Sequence, residues 1–302
     1  MQFKRIKRHI DGVLLLDKPL GFSSNQALQK VKWLFQAAKA GHTGSLDPLA
    51  TGVLPICFGE ATKFSHFLLD SDKSYRALVK FGSTTTTGDA EGEVLTTATV
   101  NVSPHQLQDA LNKFRGEISQ VPPMYSALKH QGKALYEYAR QGVDIDRLAR
   151  VVTIHDITLN QFDGQQAEIT VVCSKGTYIR TLAEDIGAEL GCGAHLAGLR
   201  RLSAAHYVLA DTVTLESLEA MPLEERDALL LSPDSAIQDL PQVELDDDSV
   251  FYLLRGQEVW KSGFNVQGLF RIYSEKRVFL GIGEQTADGR IAPRRLLVQK
   301  LQ

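Results

Sequence analysis

The sequence predicts an α+β protein: a mixed, mostly antiparallel sheet with flanking helices, then a small all-β module at the C-terminus. Three observations carry this. Candidate strands outnumber candidate helices and do not alternate with them, which argues against a parallel βαβ array. Residues 75–81 (YRALVKF) alternate in the strand manner, placing Tyr75, Ala77, Val79 and Phe81 on one face. Beyond residue 250 the apolar runs are short and broken by glycine, as in GLFRIY and RVFLGIG.

The elements follow in order. GVLLLD (12–17) is an apolar run of strand length, expected to be buried. KPLGF turns the chain. SSNQ then forms a capping box, with Ser23 answered three residues later by Gln26. Ala27, Leu28, Val31, Leu34 and Phe35 keep helical spacing behind it. TTTTGDAEGEV (84–94) reads as a turn-rich loop. Ser103 caps a second helix, with Pro104 at its first position, Gln106 completing the box and Gly116 past its end. Residues 124–150 are polar, basic and rich in tyrosine, and read as a long insertion rather than core. VVTIHDITLNQF and AEITVVCS are two strands. GTYIRTLAEDIGAELG is a helix, with Thr177 as expected N-cap and Gly191 past its end. Residues 232–248 (SPDS, DLPQ, ELDDD) read as a linker. The division expected is 1–241 and 242–302.

Composition narrows the function classes. A chain of 302 residues that is 43% hydrophobic and 23% charged can bury a full core. A formal net charge of −3 argues against a protein that coats nucleic acid indiscriminately. Basic stretches exist at residues 4–9, 129–150 and 199–206; the first reads as a solvated tail. Cys57, Cys173 and Cys192 lie far apart without a C-x-x-C, so neither a disulfide framework nor a zinc site is expected, and free thiols suit a reducing cytoplasm. No apolar run reaches the ~18 residues of a membrane span, and GVLLL is too short for a signal-peptide core. GCGAHLAG (191–198) departs from G-x-G-x-x-G and follows no strand, so dinucleotide binding is rejected and His195 reads as structural.

One stretch invites chemistry. GHTGSLDPLATGVLP (41–55) surrounds Asp47 with glycines at 41, 44 and 52, and Pro48 bars Asp47 from helical backbone. An Asx-turn explains such an aspartate without function. The apolar residues that follow favour a loop entering a core, where a carboxylate needs a cation to stay ionised. Arg180 is a candidate, because a cation near the third position of a helix opposes the macrodipole and needs an offset. Pairing with a carboxylate supplies one; a side chain reaching solvent supplies the other. Tyr75, Tyr178 and His42 are flat side chains near these loops, suited to packing or to stacking on a base.

Several stretches occur together in a familiar order: GVLLLDKPLGFSS, AGHTGSLDPLATGVLPICFGEATKF, DKSYRALVKFG, PPMYSALKHQGKALYEYAR, CSKGTYIRT and HLAGLRRL. On these the chain resembles the bacterial tRNA pseudouridine-55 synthase (TruB) family, densely over residues 10–205 and more loosely beyond. The resemblance implies a pseudouridine synthase fold with a thumb insertion, mapped to about residues 124–150, and a PUA-like RNA-binding domain at 242–302. It implies that one uridine of the tRNA T-loop is cleaved at its glycosidic bond, turned and rejoined through C5, without cofactor or metal. It implies that Asp47 is the catalytic aspartate, Arg180 its partner, Tyr75 the ring that stacks on the target base and His42 the ring that fills the space left by the flipped base. Tyr178 and Leu199 would line the uridine pocket, and Lys18 and Pro19 would buttress the catalytic loop. The partner expected is tRNA, at its T-arm and elbow, with no membrane, no guide RNA and no obligate protein partner; a cytoplasmic monomer is expected. Two other classes stay in view: a tRNA-folding chaperone or RNA-binding protein without chemistry, and a synthase directed by a guide RNA.

Overall fold

The computed structural model describes residues 7–298. Its main sheet runs in the spatial order Val213–Thr214, Gly12–Lys18, Ala50–Phe58, Ala194–Ala204, Lys73–Phe81, Gln166–Cys173, Arg150–Phe162 and Gly116–Gln120. Two of these pairings are parallel, Leu16–Asp17 with Val213–Thr214 and Ala50–Gly52 with Leu199–Arg201; the others are antiparallel. The α+β expectation with a mostly antiparallel sheet therefore holds.

The Gly12–Lys18 strand is apolar throughout because both of its faces are covered. Leu14 and Leu16 meet the helix Ser24–Leu34 through Leu28, Val31 and Leu34. Val13 and Leu15 join Val53, Cys57, Phe64 and Leu68 on the other side. The helices Pro104–Lys113 and Ile179–Glu189 cover a third region, where Leu107, Leu111, Leu182 and Ile186 pack on Ala77, Val79, Phe81, Ile169 and Val171. Both expected capping boxes form: Ser23 and Ser103 each accept from the backbone N–H of the glutamine three residues on. All three cysteines are free and buried.

Several readings need correction. The N-cap of the helix Ile179–Glu189 is Tyr178, not Thr177, whose hydroxyl instead donates to the Ser174 carbonyl. Arg180 consequently sits at the second helical position rather than the third. The loop at 84–94 begins and ends in a hairpin, Ser83–Thr85 with Val94–Thr97. Residues 232–248 are no open linker. They hold a 3-10 turn (Pro233–Ile237), the strand Gln242–Leu245 and the start of the helix Asp247–Leu253, whose N-cap is Asp246. The acidic run reads as linker by composition, yet it complements the positive end of a helix. Of the basic start, residues 4–6 lie outside the described residues. Arg8 is docked rather than solvated, paired with Asp227.

The C-terminal sheet orders Gln242–Leu245, Leu269–Ser274, Phe279–Gln285 and Ile291–Leu296 around Val243, Leu245, Phe270, Ile272 and Ile291. It shares core with the rest of the molecule: Phe279 lies 5.6 Å from Phe64 between ring centroids, and Ile282 joins the cluster of Val13 and Val53. Lys63 donates to the Leu296 carbonyl at 2.9 Å, and Tyr273 donates to Asp234 at 2.5 Å. Deleting 242–302 would therefore uncover apolar surface as well as remove a surface for ligands.

Candidate functional site

The stretch around Asp47 is the wide loop of a hairpin in which Ala40–His42 pairs with Ile56–Phe58. Three tethers hold the loop. Ser24, at the start of its helix, accepts from the Leu46 N–H at 2.7 Å and donates to the Leu46 carbonyl at 3.1 Å. The Gly21 N–H donates to the Pro48 carbonyl at 2.9 Å. The Ala50 N–H closes a turn on the Asp47 carbonyl at 3.0 Å. The KPLG turn is itself clamped by Lys18, whose buried ammonium donates to the carbonyls of Pro19, at 2.9 Å, and Phe22. Lys18 also pairs in register with Gly52, so the KPLG turn adjoins the loop at Gly52 and at Pro48.

Two rows of the sheet assemble the rest. One runs Ala50–Leu199–Ala77, and the other Gly52–Arg201–Tyr75, across three strands. Gly52 lies at φ +103°, and a Cβ there would come within 2.2 Å of the Arg201 carbonyl oxygen. Gly44, at φ +87°, passes over the Arg201 guanidinium. Gly41 has neither a positive φ nor a close neighbour, so its expected conformational role is absent.

Arg180 does not reach solvent. Its side chain is 6% exposed, and Nη2 lies 3.0 Å from Asp47 Oδ2. The same guanidinium donates to the carbonyls of Thr87 (3.1 Å) and Tyr125 (2.6 Å), and its Nε faces Asp89 Oδ2 at 3.6 Å. Two carboxylates and two carbonyls therefore offset the desolvation of the cation and its unfavourable place on the helix. Burial pushes the Asp47 carboxyl above the ordinary carboxylate range; Arg180 and then Lys18 pull it back, while Asp89 adds to the push. The Asp47 side chain keeps 46% of its surface open, so solvent tempers these effects.

Of the remaining candidates, Tyr75, Tyr178 and Lys18 feel the charge of Asp47, whereas His42 feels that of Arg201. Burial pushes the Tyr75 phenol up against the pull of Arg201. Burial does the same to Tyr178, whose phenol also feels Arg180 and Asp47. Burial and then Arg201 push the His42 imidazole below its ordinary range, against a smaller upward pull from the Gly44 backbone. Burial pulls Lys18 down to about 8, opposed by Asp47. Leu199 is half-buried, packs against the central core and lines a surface groove with Leu20, Leu49, Arg76 and Arg200. His195 is buried, with Nδ1 3.1 Å from the Ser83 carbonyl, as a structural histidine should be.

Two residues of the cluster escaped the sequence reading. Asp89, 3% exposed, sits in the stretch read as a loop and is held by the Thr87 hydroxyl and the Glu91 N–H. The helix position of Arg180 signals an offset, but not that two carboxylates share it. Arg201 is 1% exposed, donates to the Val53 carbonyl at 2.6 Å and has no carboxylate within ion-pair distance among the described residues. Its signal was the LRRL run, read only as a basic patch. Also among the described residues, no three His, Cys, Asp or Glu side chains gather as metal ligands, and no helix is long and apolar enough to cross a membrane.

Comparison with known proteins agrees along the chain. Residues 32–179 match the TruB family pseudouridylate synthase N-terminal domain, residues 180–238 the tRNA pseudouridylate synthase B C-terminal domain, and residues 241–297 the pseudouridine synthase II TruB C-terminal domain. A protein named tRNA pseudouridine synthase B from Methylobacillus flagellatus is 70% identical over 299 residues, covering 99% of each chain. One of the same name from Pseudomonas putida is 56% identical over 300 residues, covering 98% of each. A solved Cbf5-Nop10-Gar1 complex contains a chain that superimposes with a TM-score of 0.70 at 25% identity, over 94% of this chain and 84% of that one.

Proposed function

From the premise that this chain belongs to the TruB family of pseudouridylate synthases, which are isomerases, we propose that it converts the uridine at position 55, in the T-loop of tRNA, to pseudouridine, with Asp47 as the group that acts on the nucleotide. The observation that carries the reading is the pairing of a half-open carboxylate with a buried arginine, 3.0 Å apart, at the tip of a braced loop.

A T-loop uridine must leave its stack to be reached, at a cost of a few kcal/mol. Stacking on Tyr75 returns about 1–3 kcal/mol, and the flat ring of His42 is suited to occupying the gap left in the loop. Tyr178 and Leu199 line the pocket for the base. Lys18 and Pro19 keep the Asp47 loop from moving. Asp47 then acts ionised, because attack at C1′, attack at C6 and removal of the 2′ proton all need a free carboxylate lone pair. Arg180 keeps it so against burial and against Asp89. The glycosidic bond breaks, the base turns, and C5 takes the place of N1 on the sugar; the C5 proton leaves and the freed N1 takes up a proton. No cofactor or metal enters this reading.

The partner is the T-arm and elbow of tRNA, bound by the insertion at about 124–150 and by the PUA-like domain at 242–302; residues 1–241 form the catalytic domain. The protein works as a cytoplasmic monomer, without a guide RNA or an obligate protein partner. A T-arm hairpin tritiated at C5 of its uridines tests the reading. Release of one tritium per hairpin supports it. Tight binding without release would instead favour an RNA chaperone, and release only with added guide RNA would favour a guided synthase.

A further inference from the structure

The insertion leaves and re-enters the sheet at two residues that face each other in register, Gln120 and Arg150. Gln120 is 2% exposed. Its carboxamide is spent on one residue: Oε1 accepts from the Tyr178 N–H at 3.0 Å, and Nε2 donates to the Tyr178 carbonyl at 3.3 Å. Tyr178 is the N-cap of the helix Ile179–Glu189, has no side-chain cap of its own, and is followed by no acidic residue in the first turn. The start of this helix is therefore held from outside, two residues before Arg180.

Five residues past Gln120, the Tyr125 carbonyl takes the Arg180 Nη2–H at 2.6 Å. Between them lie Pro122 and Pro123. Each proline fixes its own φ and bars the residue before it from helical backbone, so residues 121–123 form a stiff extended strap. The strap continues into the insertion: the Ser126 carbonyl accepts from the Tyr136 N–H at 3.1 Å, and the Leu128 carbonyl from the Leu135 N–H at 2.8 Å. The same Nη2 thus touches both the root of the insertion and Asp47, while Nη1 and Nε face Thr87 and Asp89.

We infer that Gln120 is a positioning residue: from the root of the insertion it fixes the Tyr178 backbone and, with the Tyr125 carbonyl, sets where Arg180 meets Asp47. The inference rests on the reading of Asp47 and Arg180 given above. A buried glutamine of merely structural use would lower stability when replaced, without separating chemistry from binding.

The test compares Gln120→Met, which keeps the volume and loses both hydrogen bonds, with Gln120→Glu, which keeps the acceptor for the Tyr178 N–H. Single-turnover tritium release and hairpin affinity are measured below the melting temperature of each variant, with amide exchange at residues 178–182. Expected for Gln120→Met are unchanged affinity, a rate lower by about 10–100-fold and faster exchange at Tyr178; Gln120→Glu should recover part of both. A wild-type rate in Gln120→Met, or equal losses of affinity and rate, would overturn the inference. If Gln120→Met does not fold, the Glu variant decides alone, by a rate loss at unchanged affinity or its absence. If the wild-type protein itself releases no tritium, the proposed function fails, and exchange at Tyr178 still decides whether the clamp exists.

Discussion

Three glycines in the stretch 41–52 should respond to the same substitution in a fixed order. Gly52→Ala places a methyl group 2.2 Å from the Arg201 carbonyl oxygen and 2.8 Å from its nitrogen, at a backbone φ of +103°. Neither neighbour can turn aside, because both belong to the strand paired in register with Gly52. The disfavoured backbone alone costs about 1–3 kcal/mol, and the forced separation of two packed strands about 1–3 more. Gly44→Ala meets only the Arg201 Nη1 at 3.4 Å, an ordinary contact, and bears only the strain of φ +87°, about 1–2 kcal/mol. Gly41→Ala meets nothing within 4 Å and should stay within about 0.5 kcal/mol of wild type. Urea denaturation gives the three values, and thermal melting should place Gly52→Ala about 3–9 °C below wild type. Gly41→Ala costing as much as Gly52→Ala, or Gly52→Ala melting with wild type, would refute the reasoning. Either result would mean that close strand contact and backbone strain are not why the stretch carries these glycines.

Other expectations concern charge. Asp47→Asn should bind the T-arm hairpin as wild type does and release no tritium above background; filter binding and single-turnover kinetics check this. In Arg180→Ala, burial and Asp89 act on Asp47 without their main opposition, so the acid limb of the pH–rate profile should move to higher pH; an unmoved limb in folded protein would reject the pairing. Lys18 is held at about 8 in the fold against 10.5 when unfolded. Between these values the unfolded chain binds more protons, so stability should rise with pH across that window, and Lys18→Met should flatten part of the rise; urea midpoints from pH 7.5 to 10.5 measure it.

What could be read from the sequence divides along a physical line. The strands at 12–18 and 73–81 and both capping boxes follow from local rules, because burial period and cap chemistry act within a few residues. Asp47 stood out for the same reason: Pro48 and the nearby glycines restrict its backbone locally. The place of Arg180 on its helix announced that something must offset its charge. That the offset includes Asp89, and that Arg201 faces Gly44 and stands beside Tyr75, depends on segments brought together from distant parts of the chain. No periodicity encodes such pairings. The acidic run at 244–248 misled for a related reason, since composition alone does not distinguish a linker from the charged start of a helix.

The rows Gly52–Arg201–Tyr75 and Ala50–Leu199–Ala77 also bear on how the chain is made. Residues 50–58 and 73–81 do not pair with each other; the strand Ala194–Ala204 stands between them. During synthesis the halves of the site emerge from the ribosome without the strand that joins them, and they must wait for more than a hundred residues. Contacts of such long sequence separation form slowly, and the waiting strand edges are open to wrong partners. Expression at low temperature or with added chaperone should therefore raise the yield of native enzyme, whereas chains stopped before residue 194 should accumulate as aggregates.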